Sequence, residues 1–132
     1  MAKICSDNFV FSIDVTSMDL EQGAKGNPYN STCDIQVISD EFSGKTEITT
    51  SIKNIINFVN ELKSMYDTFK GKATLVDFDF GTKINVECDY RGYFIFEGVL
   101  INQSFQKLQF KNSVDQTYLS DFIRDLSLQI EW

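Results

Sequence analysis

At 132 residues, 42% hydrophobic and 14% aromatic, the chain is long enough for one globular domain that buries roughly two-thirds of its unfolded surface, and too short for two. Its net charge of −7, from 19 acids against 12 bases, opposes nucleic-acid binding, which needs clustered Lys and Arg to neutralise phosphates, and favours a basic partner. No apolar run approaches the roughly 20 residues of a membrane span, and the start "MAKICSDNFV" lacks the long apolar core of a secretory signal, so no membrane contact and a cytoplasmic location are expected.

Histidine is absent, which removes the commonest zinc ligand and the usual general base for Ser or Cys chemistry. Cys5, Cys33 and Cys88 are widely spaced and odd in number, and read as reduced, apolar thiols. Neither an enzyme nor a bound cofactor or metal is expected.

In chain order, "NFVFSIDV" places Phe9, Phe11, Ile13 and Val15 on one face and Val10, Ser12 and Asp14 on the other, the period of a half-buried strand. "LEQGAKGNPYNST" holds two Gly and the only Pro, and reads as an exposed loop; its Asn30-Ser31-Thr32 sequon carries no meaning in a cytoplasmic chain. Strands follow around "CDIQVIS" and "GKTEITT". Over residues 51–70 the period changes. Ile52, Ile55, Ile56, Val59, Leu62, Tyr66 and Phe69 stack on one face of a helix, with Thr50 or Ser51 as its cap and Gly71 as its left-handed stop.

Residues 72–114 read as a meander of four strands. Three-residue loops at Tyr90-Arg91-Gly92 and Phe80-Gly81-Thr82 put Phe78 opposite Ile84, Val86 opposite Phe96 and Cys88 opposite Phe94. A third hairpin near Gln103–Phe105 pairs Leu100 with Leu108 and sets Phe110 against Gly98. On this register Asp77, Asp79, Glu87, Asp89 and Glu97 all project from the other face, a negative surface that either keeps the protein soluble or docks a basic protein. Arg91 and Tyr93 at the adjoining turn are candidate anchors, because Tyr and Arg are enriched at interface hot spots.

Two apparent motifs fail. "SGKTE" imitates the end of a phosphate-binding loop, but Ser39 stands where the first Gly belongs. "DFDFGTKINVEC" has two Asp at calcium-loop spacing, yet its Gly comes one position early and Cys88 occupies the place of the bidentate Glu.

In "VDQTYLSDFIRDL", residues 114–126, Asp115 can cap a helix by accepting from the amide of Thr117 or Tyr118, with Val114 and Leu119 in the flanking apolar staple. Leu119, Phe122, Ile123, Leu126 and Ile130 make the buried stripe; Ser120, Asp121, Arg124, Asp125 and Gln129 fall on the wet side.

That helix, with "QIEW" after it, resembles the closing helix of the WapI-type immunity proteins of bacterial polymorphic toxin systems. "DYRGYFIFEG" at 89–98 is similar to the strand-turn-strand that precedes it there, and the helix at 51–70 with "FSGKTEI" before it stands in the family's order, so the likeness covers roughly residues 42–132. It implies a non-catalytic cytoplasmic protein that binds and neutralises a cognate toxin domain; WapI-type toxins include nucleases acting on transfer RNA, whose basic surface would suit an acidic inhibitor.

The expected fold is α+β, a curved, mainly antiparallel sheet of six or seven strands with two helices against its apolar surface. The expected partner-binding residues are Asp77, Asp79, Glu87, Asp89, Glu97, Arg91 and Tyr93. Two other classes stay open. A pocket between sheet and helices would make a ligand-binding or enzymatic domain, and an exposed edge strand would make an assembly subunit.

Overall fold

The computed structural model describes residues 1–89 and 91–130, and within them the α+β chain forms two antiparallel sheets of four strands each. The first contains β1 (Ala2–Cys5), β2 (Phe9–Met18), β3 (Ser31–Ser39) and β4 (Phe42–Thr50); the second contains β5 (Lys72–Val76), β6 (Lys83–Cys88), β7 (Tyr93–Ile101) and β8 (Lys107–Asp115). Both are meanders in chain order. Helix α1 (Leu20–Ala24) interrupts the first sheet, α2 (Ile52–Thr68) carries the chain to the second, and α3 (Leu119–Gln129) follows a 3-10 turn at Gln116–Tyr118.

The single sheet of six or seven strands is therefore replaced by two sheets. Alternation shows which residues of a strand share a face, but it cannot say whether β4 pairs with β5, and α2 separates them. Strand β1 has four residues, too few to display a period, and α1 has five, inside the segment read as loop. The buried Asn30 ties that segment down: its Oδ1 accepts from the Ile52 amide (2.8 Å) and its Nδ2 donates to the Asn27 carbonyl (2.7 Å).

The two sheets meet through phenylalanine rings. Phe9 lies 5.7 Å from Phe96 and 6.3 Å from Phe110, Phe11 lies 5.3 Å from Phe96, and Phe122 of α3 closes on Phe11 at 5.9 Å. Most of these contacts are tilted or edge-on, each contributing about 0.5–1.5 kcal/mol beyond area burial. Helix α3 packs on β1 and β2, and α2 on β5 and α3, so one continuous core joins both sheets and both longer helices.

Ser51 caps α2, its hydroxyl accepting from the Asn54 amide at 3.0 Å. The helix stops earlier than expected: Phe69 is its left-handed cap at φ 56°, with its ring exposed, and Gly71 follows at φ 108°. The buried stripe is Ile55, Phe58, Val59, Leu62 and Met65, rotated so that Ile52 and Ile56 fall on its flank. Helix α3 buries Leu119, Phe122, Ile123 and Leu126 as its spacing requires, and Asp115 accepts from the Thr117 amide at 2.8 Å, capping the 3-10 turn. Gln129 does not face water. Its side chain accepts from the Val15 amide (2.6 Å) and donates to the Ile13 carbonyl (3.3 Å), which closes the margin of β2 beyond the end of β1.

In the second sheet Val86 pairs with Phe96, Cys88 with Phe94, Leu100 with Leu108, and Gly98 with Phe110. Ile84 stands opposite Leu75 instead of Phe78, because β5 ends at Val76 and residues 77–82 form a loop. The turn at 90–92 is closed by the Asp89 amide on the Tyr93 carbonyl (2.9 Å), with Gly92 at φ 86°; Tyr90 lies outside the described residues, as do the last two residues of "QIEW". Gly98 is required by crowding: a Cβ there would stand 2.3 Å from the Lys83 carbonyl oxygen and 3.2 Å from the Phe110 ring. Gly98→Val is expected to lower stability by at least about 1–3 kcal/mol in urea unfolding. An unchanged midpoint would contradict this packing.

Candidate functional site: an acidic and aromatic surface

The five acids expected to form one face are dispersed. Asp77 is only 7% exposed, and its carboxylate accepts from the amides of Thr49 (2.9 Å), Asp79 (3.2 Å) and Phe80 (2.8 Å). With the Phe78 amide donating to the Thr49 carbonyl (2.9 Å), it fastens the 77–82 loop to the open margin of β4. Alternation suggested an outward strand residue because D-F-D-F mimics a strand. The carboxylate instead turns back to satisfy three part-buried amides of the loop and of β4.

Asp79 is exposed at the crest of that loop. Glu87 projects from β6 opposite Lys72, and Glu97 from β7 with Lys111 Nζ at 3.5 Å. Those two strands and their neighbours also present Lys83 and Lys107, so four lysines share the face with two glutamates and it is not acidic. Asp89 is spent on its turn, accepting from the amides of Arg91 (2.8 Å) and Tyr93 (3.1 Å) and from the Arg91 guanidinium (3.3 Å). Partial desolvation pushes its carboxyl up, but these bonds outweigh that and hold it below the usual carboxylate range. Arg91 lies over the Tyr93 ring at 5.4 Å, both exposed.

A row of acids crosses the first sheet. Asp14 pairs with Asp34 across β2 and β3, and Asp34 with Glu47 across β3 and β4, so three carboxylates stand side by side on the outer face. The α-amino group of Met1, 3.8 Å from Asp14, answers one end of the row, and Lys3 of β1 and Lys45 of β4 stand on the same face beside it. Their field reaches the inner face: the thiol of Cys33, beside Asp34, is pushed up to about 12, by burial first and then by Asp34, Asp14 and Glu47. The signal was present as "SIDV", "CDIQV" and "KTEIT", each with an acid at an outward alternate position. Finding the row also needed the register between β2 and β3 across residues 19–30.

Beyond β4 the surface continues onto the loops of the second sheet, where Glu47, Lys45, Asp79, Phe80 and Ser104 line a shallow depression. Two ring pairs stand beside it, Phe80 with Phe105 (5.7 Å) and Tyr29 with Phe78 (5.2 Å). The Phe105 ring is 67% exposed and that of Tyr29 54%. No helix among the described residues is long and apolar enough to cross a membrane.

Like charges on adjacent strands oppose folding, and exposed rings gain little from it. The Immunity protein WapI-like family matches the chain over residues 4–132, further toward the N-terminus than the motifs alone extended. The chain therefore belongs to the WapI-like immunity protein family. No curated protein matches its sequence.

Two stability measurements separate structural from surface acids. Asp77→Ala, which strands three amides, is expected to cost on the order of 2–3 kcal/mol. Asp34→Asn removes the middle charge of the row and is expected to raise the thermal midpoint, by up to about 1 kcal/mol of stability. A neutral effect of the first or a loss from the second would contradict the assignment.

Proposed function

We propose that the chain binds and neutralises a cognate bacterial toxin domain by occupying its surface, without chemistry of its own, in the cytoplasm where that toxin is made. Membership of the immunity family over residues 4–132 carries this reading. The row of Asp14, Asp34 and Glu47, extended by Asp79, supports a mode of action: an acidic face meets a basic toxin surface, and complementary fields speed encounter and select the partner. A toxin that acts on RNA has such a surface, because it must neutralise phosphates. The net charge of −7 suits this role and opposes direct competition for nucleic acid by the inhibitor.

Of the residues expected from the sequence, Asp79 joins this surface. Glu87 and Glu97 stand among lysines, Asp89 is engaged in its turn, and Arg91 with Tyr93 forms a separate exposed pair on the β6–β7 turn. Co-expression with the cognate toxin domain is expected to restore growth of a sensitive host and to yield a complex on size exclusion. Association should slow as salt rises, because screening acts on the steering field. Continued killing with no complex would overturn the reading.

A further inference from the structure

We propose that the 77–82 loop, with the tip of the β7–β8 hairpin, is the anchor of the toxin interface: Phe78, Phe80 and Phe105 take an apolar spot on the partner while Asp79 and Glu47 pair with the basic residues around it. This rests on the immunity reading and locates its energetic centre.

The sequence "DFDFG" at 77–81 resembles half a calcium loop, but the structure uses it differently. The first Asp turns inward and fixes the loop, and the next three residues are left to form the surface. Phe78 packs edge-on under Tyr29, Phe80 packs edge-on against Phe105, and Asp79 lies exposed between them. The neighbouring hairpin is held alongside by the buried Thr82, whose Oγ1 donates to the Ile101 carbonyl (3.1 Å) and accepts from the Ile101 amide (2.8 Å). Asn102 organises the hairpin tip, its Oδ1 accepting from the amides of Ser104 (3.0 Å) and Gln106 (2.9 Å). Rings presented on loops already fixed lose little freedom when a partner arrives.

Phe105 carries the sharpest sign of a role outside the fold. It sits at φ 59°, a left-handed position that glycine takes without strain and a bulky side chain does not. Its ring is 67% exposed and meets Phe80 at 5.7 Å. Glycine would serve the hairpin better, so phenylalanine here costs stability while adding exposed apolar area. The charge around it favours a basic occupant: Glu47 and Asp79 line the adjoining depression against Lys45, and the row continues through Asp34 to Asp14, where Lys3 stands on the same face. A basic protein surface with an apolar centre complements this edge, whereas a second copy of this acidic chain would bring like charges together.

The test uses the cognate toxin domain of that reading, catalytically inactivated and titrated calorimetrically with the full-length protein. Phe105→Gly is expected to leave the melt unchanged or raise it, and to weaken binding by about thirtyfold, as a central hot spot would. Asp79→Lys should weaken binding and reduce its salt dependence, while Glu87→Lys with Glu97→Lys on the second sheet should leave affinity within about threefold, as a surface outside the contact would. If wild type binds and both Phe105→Gly and Asp79→Lys bind equally well, the anchor assignment is overturned and the immunity reading stands. Absence of binding by the wild type overturns both. Loss of a homodimer in Phe105→Gly, with toxin affinity intact, would assign the rings to self-association and overturn the proposal.

Discussion

Everything else in this molecule depends on two four-stranded sheets burying their phenylalanine faces against each other. Phe9 and Phe11 from the first sheet, Phe96 and Phe110 from the second, and Phe122 from the last helix make one set of ring contacts, so neither sheet has an apolar face to spare. The outer faces carry mostly polar and charged side chains, and what distinguishes them is charge arrangement. The first sheet aligns Asp14, Asp34 and Glu47 with Lys3 and Lys45 at their side; the second mixes Glu87 and Glu97 with four lysines.

Packing two open sheets leaves strand margins that must be satisfied, and here side chains do it. Gln129 supplies both donor and acceptor to β2 where β1 has ended, and Asp77 supplies the acceptor for the Thr49 amide on β4. Such closures blunt edges that would otherwise pair with another chain. They also have a positional effect. By fastening the 77–82 loop to β4, Asp77 brings Asp79 and Phe80 beside Glu47 and so joins the charged face of one sheet to the exposed rings of the other.

What was legible in the sequence follows from what periodicity encodes. The register of β6, β7 and β8 could be inferred because short loops and alternating apolar residues leave one solution, and Val86 with Phe96 or Leu100 with Leu108 pair accordingly. Asp115 was readable as a cap, though it caps the 3-10 turn that leads into the closing helix and not that helix itself, and the segment's likeness to the immunity family agrees with the match over residues 4–132. Sheet count was not readable, since no local pattern distinguishes a β4–β5 pairing from a crossing by α2. Asp77 was misread because alternation describes where a strand residue points, and a carboxylate folding back on loop amides leaves no period. Gln129 failed similarly, being a polar residue at the margin of an apolar stripe. The acid row needed the partner strand of Asp14 across a segment whose geometry only the fold defines.

The proposed toxin interface is the joined acidic and aromatic surface. Hydrogen exchange of the protein alone and saturated with inactivated toxin domain tests it most directly, because exchange reports which backbone amides a partner shields. Added protection at residues 77–82, at 102–106 and along β4 would agree with the account. Protection confined to β6, β7 and the turn at Arg91 and Tyr93, with these loops unchanged, would contradict it.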